Sequence, residues 1–227
     1  MTDPLRLVIF DVDGTLVDSQ GAIVAATTAA FQALGLEVPE RNKMLSIVGL
    51  SLDHAIARLA PHQAVQTQAR LVNGYKEAFH AYRLAKGAAA ESPLYPGARE
   101  LIAQLAESPD ILLGIATGKS QRGLTALLEA HDLERVFVTK QNADFHPSKP
   151  NPSMITTAMA EAGVGPAQTI MIGDTSFDME MAHAAKVPGI GVSWGYHGVS
   201  ELHLADRIVD RFGELPDALD MIWKVPT

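Results

Sequence analysis

Short apolar runs punctuate the chain at Leu5 to Phe10, Ile111 to Ala116, Arg135 to Thr139, Thr169 to Ile172 and Pro188 to Ser193. Runs of this kind, bounded by turn formers, mark strands buried on both faces. Between most of them apolar residues recur three or four positions apart, as at Leu101 and Leu105 or Leu124, Leu127 and Leu128, which gathers them on one helical face. Strands alternating with helices predict an α/β fold around a parallel sheet. One interval breaks the rhythm. Residues 16–94 carry helical spacing at Ile23, Ala26, Ala30 and Phe31, and again at Val72, Tyr75, Phe79 and Tyr82, with no strand pattern. This interval reads as an inserted helical module whose aromatic residues pack between helices. It closes at the turn-rich stretch Ser92-Pro93-Leu94-Tyr95-Pro96-Gly97.

Composition narrows the class of function. A chain of 227 residues, 47% hydrophobic, can bury a sizeable core. Its formal net charge of -8 argues against nucleic acid or an anionic membrane as the main partner. With no cysteine there is no disulfide framework, thiolate nucleophile or zinc-thiolate site, which fits a reducing compartment. Asp11 and Asp13 interrupt the early apolar run, so neither a signal peptide nor a membrane span is expected there, and the cytoplasm is the expected location.

The chemistry collects at strand ends. Asp11-Val12-Asp13-Gly14-Thr15 follows the first run, Thr117-Gly118-Lys119 follows the second, and Gly173-Asp174-Thr175-Ser176-Phe177-Asp178 follows the fourth. Open parallel sheets bind ligands in the crevice beyond the carboxyl ends of their strands. Ser148-Lys149-Pro150 precedes a helix expected to begin near Pro152, placing Lys149 within reach of the same crevice. The carboxylates of Asp11, Asp13, Asp174 and Asp178 would repel one another there. Each pair at about 4 Å costs roughly 4 kcal/mol at an effective dielectric of about 20, so the rim calls for a cation. All-oxygen donors without His or Cys point to Mg²⁺, which combines one or two carboxylates with water and a substrate phosphate. Thr117, the amide of Gly118 and the ammonium of Lys149 supply donors for the remaining phosphate oxygens.

In their order and approximate spacing, these motifs resemble the haloacid dehalogenase superfamily over nearly the whole chain. The closer likeness is to its phosphatase branch with a helical cap, the phosphoglycolate phosphatase-like members. The resemblance implies a Rossmann-like, doubly wound parallel sheet ordered 5-4-1-2-3, with residues 1–15 and 95–227 as the catalytic core and 16–94 as the cap. It implies that Asp11 is the nucleophile, forming an aspartyl phosphate, and that Asp13 is the general acid and base. Thr117 and Lys149 would hold the transferring phosphoryl group. Asp11, the backbone carbonyl of Asp13 and Asp174 would bind Mg²⁺, with Asp178 either a ligand or a support. The implied activity is hydrolysis of a small-molecule phosphomonoester, with a phosphoglycolate-like ester foremost. A phosphomutase or pyrophosphatase of the same family is the alternative, and a noncatalytic phosphate-binding protein a more distant one.

Local departures refine this picture. Dehalogenases of the family lack the second aspartate, whereas Asp13 is present. Ser51 and Leu52 stand where the phosphomutases carry a cap arginine, leaving Arg41, Lys43, Arg58 or Lys76 as candidate substrate contacts. A calcium loop starting at Asp11 fails at its sixth position, Leu16, and its twelfth, Ala22. No nucleotide-triphosphate P-loop pattern occurs. His146 is read as a loop residue, and Lys186 stands where relatives commonly have a helix-ending glycine.

Overall fold

A computed structural model describes residues 4–224. The strands are β1 Arg6–Phe10, β2 Ile111–Thr117, β3 Thr139–Asn142, β4 Thr169–Gly173, β5 Gly189–Val192 and β6 Arg207–Val209. All pair in parallel, in the order β3-β2-β1-β4-β5-β6. The expected 5-4-1-2-3 arrangement is therefore present, with β6 added at one edge. β1 lies at the centre, Phe10 standing opposite Ile115 of β2 and Ile172 of β4.

The alternation of β1 side chains creates two cores. Val8 and Phe10 face one layer, packed with Leu101, Leu124 and Leu219. Leu7 and Ile9 face the other, against Ile155 and Met181. These partners come from α6 Ala98–Ala106, α7 Gln121–Ala130, α8 Ser153–Ala162, α9 Ser176–Ala185 and α10 Leu215–Trp223. Because both faces are covered, β1 reads as an unbroken apolar run and not as alternating apolar and polar residues.

Five helices separate β1 from α6: α1 Gln20–Ala33, α2 Arg41–Leu45, α3 Leu52–Leu59, α4 Val65–Lys86 and α5 Ala88–Glu91. They have a core of their own, with Ala30 and Phe31 of α1 packed against Ile56, Leu59 and Leu71. The chain leaves the sheet and returns to it side by side. Val17 bridges Leu94, Asp18 N donates to Pro93 O (2.9 Å), and Tyr95 N donates to Leu16 O (2.9 Å). Among the described residues no helix is long and apolar enough to cross a membrane.

Two differences from the sequence reading have physical causes. The third strand starts at Thr139, where the apolar run Arg135 to Thr139 ends, because Phe137 is consumed in the core beneath the preceding turn. Its own residues are polar but satisfied: Gln141 Nε2 donates to Glu161 Oε2 (2.8 Å), and Asn142 Nδ2 to Gln121 Oε1 (2.7 Å). His146 belongs to this network, with ring nitrogens 2.8 Å from Gln141 Oε1 and 2.8 Å from Ser153 Oγ, which agrees with its reading as a loop residue. β6 escaped notice because three residues with two exposed side chains give no apolar run.

Lys186 ends α9 in the left-handed conformation, φ 59° and ψ 35°. That geometry strains any residue with a Cβ, and the side chain is exposed. Lys186→Gly is expected to raise stability by about 0.5–1 kcal/mol, read as a higher urea midpoint at an unchanged slope. A lower midpoint would show that the lysine side chain contributes more than the strain costs.

Candidate active site

The ends of β1, β2 and β4 meet over one crevice. Asp11 N donates to Ile172 O (2.9 Å), so the chain stays in register with β4 as it leaves β1. Gly14 follows at φ +88°, and a Cβ there would lie 2.2 Å from Asp174 Oδ2. Only glycine lets this loop press against the β4 carboxylate. Asp174 is fixed from two sides, by Thr15 Oγ1 donating to Oδ1 (2.9 Å) and Tyr196 N donating to Oδ2 (2.8 Å).

Asp178 closes the first turn of α9 as half of a reciprocal cap. Its Oδ2 accepts from Thr175 N (3.0 Å) and Thr175 Oγ1 (2.7 Å). Its Oδ1 accepts from Lys149 Nζ at 2.6 Å. Lys149 is 1% exposed, and its Nζ also lies 2.9 Å from Asp11 Oδ1. Apart from this ion pair with Lys149, neither buried Asp11 oxygen has a hydrogen-bond partner. Among the described residues, only Trp223 Nε1 shares that condition. An orphaned buried carboxylate indicates a missing ligand, since nearly all buried polar groups in folded proteins are partnered.

The electrostatics follow from the crowding. Burial, opposed by Lys149 and reinforced by Asp178, pushes the Asp11 carboxyl from 3.8 up to about 7. Burial, with Asp178 and Asp11 nearby, pushes Asp174 well above the ordinary carboxylate value. For Lys149 burial disfavours the charge, but the Asp11 and Asp178 carboxylates override it and hold the ammonium above its usual range. Asp11, Asp174 and Asp178 each offer an oxygen within 4.8 Å of the other two. This all-oxygen set, with the two orphaned Asp11 oxygens, fits a hard divalent cation.

The Asp13 carboxylate lies outside that trio. Its Oδ1 accepts from Ser19 Oγ (2.6 Å) and pairs with Lys119 Nζ (2.8 Å). Thr117, the last residue of β2, accepts from Lys119 N at Oγ1 (3.2 Å). Asp11, Asp13, Thr117 and Gly118 all border a cavity of about 450 Å³ that extends to α1, α3 and α4. Gly118 meets the helical insert directly: a Cβ there would lie 2.5 Å from Gly49 O and 2.6 Å from Leu50 O. Further contacts join insert and core. Ser51 N donates to Ser148 Oγ (2.9 Å), while His197 accepts from Ser176 N at Nδ1 (3.2 Å), leaving Nε2 to donate to Ser46 O (3.1 Å).

The structure thus places Asp11, Lys149, Asp174 and Asp178 in one buried cluster, with Asp13, Thr117 and Gly118 beside it. Of the candidate cap cations Lys76 borders the cavity, whereas the Arg58 guanidinium stacks 5.0 Å over Phe177. Sequence reasoning missed the part played by Lys119, Ser19, Thr15 and Tyr196. Lys119 was within reach of it, because it stands two residues past Thr117 in the stretch already placed at the rim. Ser19 and Tyr196, 177 residues apart yet with hydroxyls 3.2 Å apart, carry no local signal.

The doubly wound sheet, the lysine-bridged carboxylates and the helical insert over them define an α/β enzyme with a covered acidic centre. The chain belongs to the haloacid dehalogenase-like hydrolase family, whose model matches residues 8–192. It is 36% identical over 224 residues to "Probable phosphatase IndB" of Dickeya dadantii, spanning 96% of this chain and 95% of that one. It is 28% identical over 214 residues to the phosphoglycolate phosphatase of Photorhabdus laumondii, spanning 93% and 91%. A haloacid dehalogenase-like hydrolase of Streptococcus pneumoniae has the same fold, with a TM-score of 0.82, 25% identity, and 95% and 98% of the two chains covered.

Lys149→Met removes the only ammonium within the buried cluster and is expected to cost about 3–5 kcal/mol in urea unfolding at pH 8 with chelator present. The loss should be smaller at pH 5, where Asp11 is protonated in the folded state. Equal losses at both pH values would show that charge balance is not what Lys149 contributes.

Proposed function

We propose that this protein is a Mg²⁺-dependent phosphomonoester hydrolase that transfers the phosphoryl group of a small-molecule ester to Asp11 and then to water. The observation that carries the reading is Asp11 itself: buried, central, and without a hydrogen-bond partner on either oxygen. A carboxylate engaged by nothing beyond the Lys149 ion pair keeps lone pairs for phosphorus and for a metal.

Each residue takes a role from its contacts. An Asp11 oxygen attacks phosphorus as the ester P–O bond breaks, and Asp13 gives its proton to the departing alkoxide. Asp13 then takes a proton from water, which attacks the aspartyl phosphate, releases phosphate and restores Asp11. Ser19 and Lys119 hold Asp13 Oδ1, leaving Oδ2 for proton transfer. Lys149, oriented by Asp178, balances charge on Asp11 and on the transferring group. Thr117 Oγ1 and the Gly118 amide donate to phosphoryl oxygens. Asp11, Asp174 and the backbone carbonyl of Asp13 would hold Mg²⁺, which when bound neutralises the phosphoryl oxygens. Asp178, committed to Lys149 and Thr175, acts as a positioning residue beside the ion. Residues 16–94 form the cap that excludes bulk water and receives the rest of the substrate, and the names of the relatives make phosphoglycolate the reference ester.

Phosphate release from a panel of esters with Mg²⁺ tests the activity. Asp11→Asn is expected to lower turnover by at least about a thousandfold and Asp13→Asn by about a hundredfold or more, with far-UV circular dichroism unchanged. Substantial turnover by the Asp11 variant would overturn covalent catalysis. Interconversion of a phosphate ester without sustained phosphate release would favour a phosphomutase.

Metal binding should show as stability. The folded-state pKa of Asp11 lies above its ordinary value, so the native protein holds this proton more tightly than the unfolded chain does. Metal-free stability contributed by this group therefore falls as pH rises from 3.8 to about 7. A cation favours the ionised form and reverses the loss. Saturating Mg²⁺ is expected to raise the melting temperature by about 5 °C at pH 8 and by clearly less at pH 5. A shift independent of pH would place the ion away from these carboxylates.

A further inference from the structure

We infer that the ester this site prefers has an uncharged, largely apolar body of about ring size, and that an anionic two-carbon body such as that of phosphoglycolate is disfavoured. This inference rests on the phosphomonoesterase reading above and concerns the part of the substrate beyond its phosphate.

Size is the first observation. The cavity above Asp11 and Asp13 encloses about 450 Å³, within the roughly 300–1,000 Å³ that surrounds ligands of drug size. A phosphate with two carbons and a carboxylate leaves much of that space unfilled, and unfilled apolar space forfeits contact energy.

The walls are the second observation. Away from the carboxylate floor the cavity is bordered mainly by Ile23 of α1, by Ala55, Ile56 and Leu59 of α3, and by Val72 and Phe79 of α4, with Thr27, Asp53 and His80 as polar groups on the same helices. Tyr75 joins them, its ring centroid 5.7 Å from that of Phe79 with the planes 30° apart. The sequence reading of these two aromatics as helix packing is thus incomplete, since they also border the space a substrate would occupy. Aromatic and aliphatic walls favour an apolar body and penalise a desolvated carboxylate.

Charge is the third observation. Four cations border the cavity, and the two deeper ones are already engaged. Arg83 Nε lies 2.9 Å from Glu91 Oε2, and Glu91 is itself buried. Lys119 Nζ lies 2.8 Å from Asp13 Oδ1. The other two, Lys76 and Arg122, are exposed at the rim, with Arg122 Nη2 3.1 Å from His80 Nε2. A substrate carboxylate in the apolar part would therefore lie away from the rim cations Lys76 and Arg122 and would meet Arg83 already paired with Glu91. The Tyr75 phenol, pushed upward by burial and then by the Asp13 and Glu91 carboxylates, offers a neutral hydroxyl and not a charge to the body of a substrate.

Two non-hydrolysable phosphonates separate this inference from the hydrolase reading. Isothermal titration of the full-length protein with Mg²⁺ compares 2-phenylethylphosphonate, the isostere of benzyl phosphate, with 3-phosphonopropionate, the isostere of phosphoglycolate. The phenyl compound is expected to bind at least about tenfold more tightly. Equal binding, or preference for the carboxylate, overturns the inference whether or not the protein turns over any ester. Phosphate release from benzyl phosphate and phosphoglycolate then tests the chemistry. Both have alkyl-alcohol leaving groups, so the kcat/KM ratio reports the body and not leaving-group reactivity. Absence of release from either, together with phenyl-selective binding, would overturn the hydrolase reading and leave this inference standing. Tyr75→Ala, and the milder Val72→Ala, should lower the benzyl-to-glycolate kcat/KM ratio by about tenfold and severalfold respectively. The ratio does not depend on the fraction of folded enzyme, so an unchanged ratio places the ester's body elsewhere.

Discussion

The ammonium of Lys149, buried 2.6 Å from Asp178 and 2.9 Å from Asp11, is the interaction on which the acidic centre depends. Three carboxylates with oxygens within 4.8 Å of one another cannot all ionise in a dry interior without a compensating charge. One lysine offsets part of that repulsion, and burial together with the remaining carboxylates still pushes Asp11 and Asp174 upward. A second cation, as proposed for this site, would complete the balance. The same imbalance that burdens the folded protein would favour a divalent ion there.

The fold supplies the convergence that this balance needs. β1 is central, the chain winds outward through β2 and β3 on one side and β4, β5 and β6 on the other, and the crevice opens where those directions diverge. Adjacent parallel strands bring Asp11, Thr117 and Asp174 to one level. Lys149 comes from the loop before α8, and Asp178 from the first turn of α9. The insert is tethered through the paired segments at Val17 and Leu94, close to the loop carrying Asp13. Val17 also bridges Asp13, and Ser19, just past the tether, reaches back to Asp13.

Much of this was legible in the residues. Buried parallel strands read as apolar runs, so β1, β2, β4 and β5 stood out, and the polar residues just past three of them pointed to one rim. β3 was displaced because its buried positions are polar and satisfied by side chains from three other segments, which periodicity does not register. The Asp11, Asp174 and Asp178 cluster followed from motif order, but its lysine bridge could be given only as reach. Lys119, Ser19 and Tyr196 went unassigned because their partners are set by tertiary packing, with Tyr196 arriving after β5 from the far end of the chain.

The distribution of hydrogen bonds sets Asp11 apart from its neighbours and supports the nucleophile role proposed for it. Asp174 is held at both oxygens, Asp178 is held at both, and Asp13 is held at one. Each bond fixes a side chain and lowers the basicity of the oxygen that accepts it. Asp11 is positioned instead by its backbone and by packing, through Asp11 N on Ile172 O and the rigid β1 before it. Beyond the Lys149 ammonium at Oδ1, its lone pairs stay unengaged. The neighbouring glycines extend the same principle to the walls: a Cβ at Gly14 would strike Asp174, and one at Gly118 would strike the Gly49 and Leu50 carbonyls of the insert. Backbone approaches the site where side chains would block it, so the space over Asp11 stays open to a substrate while the groups around it stay fixed.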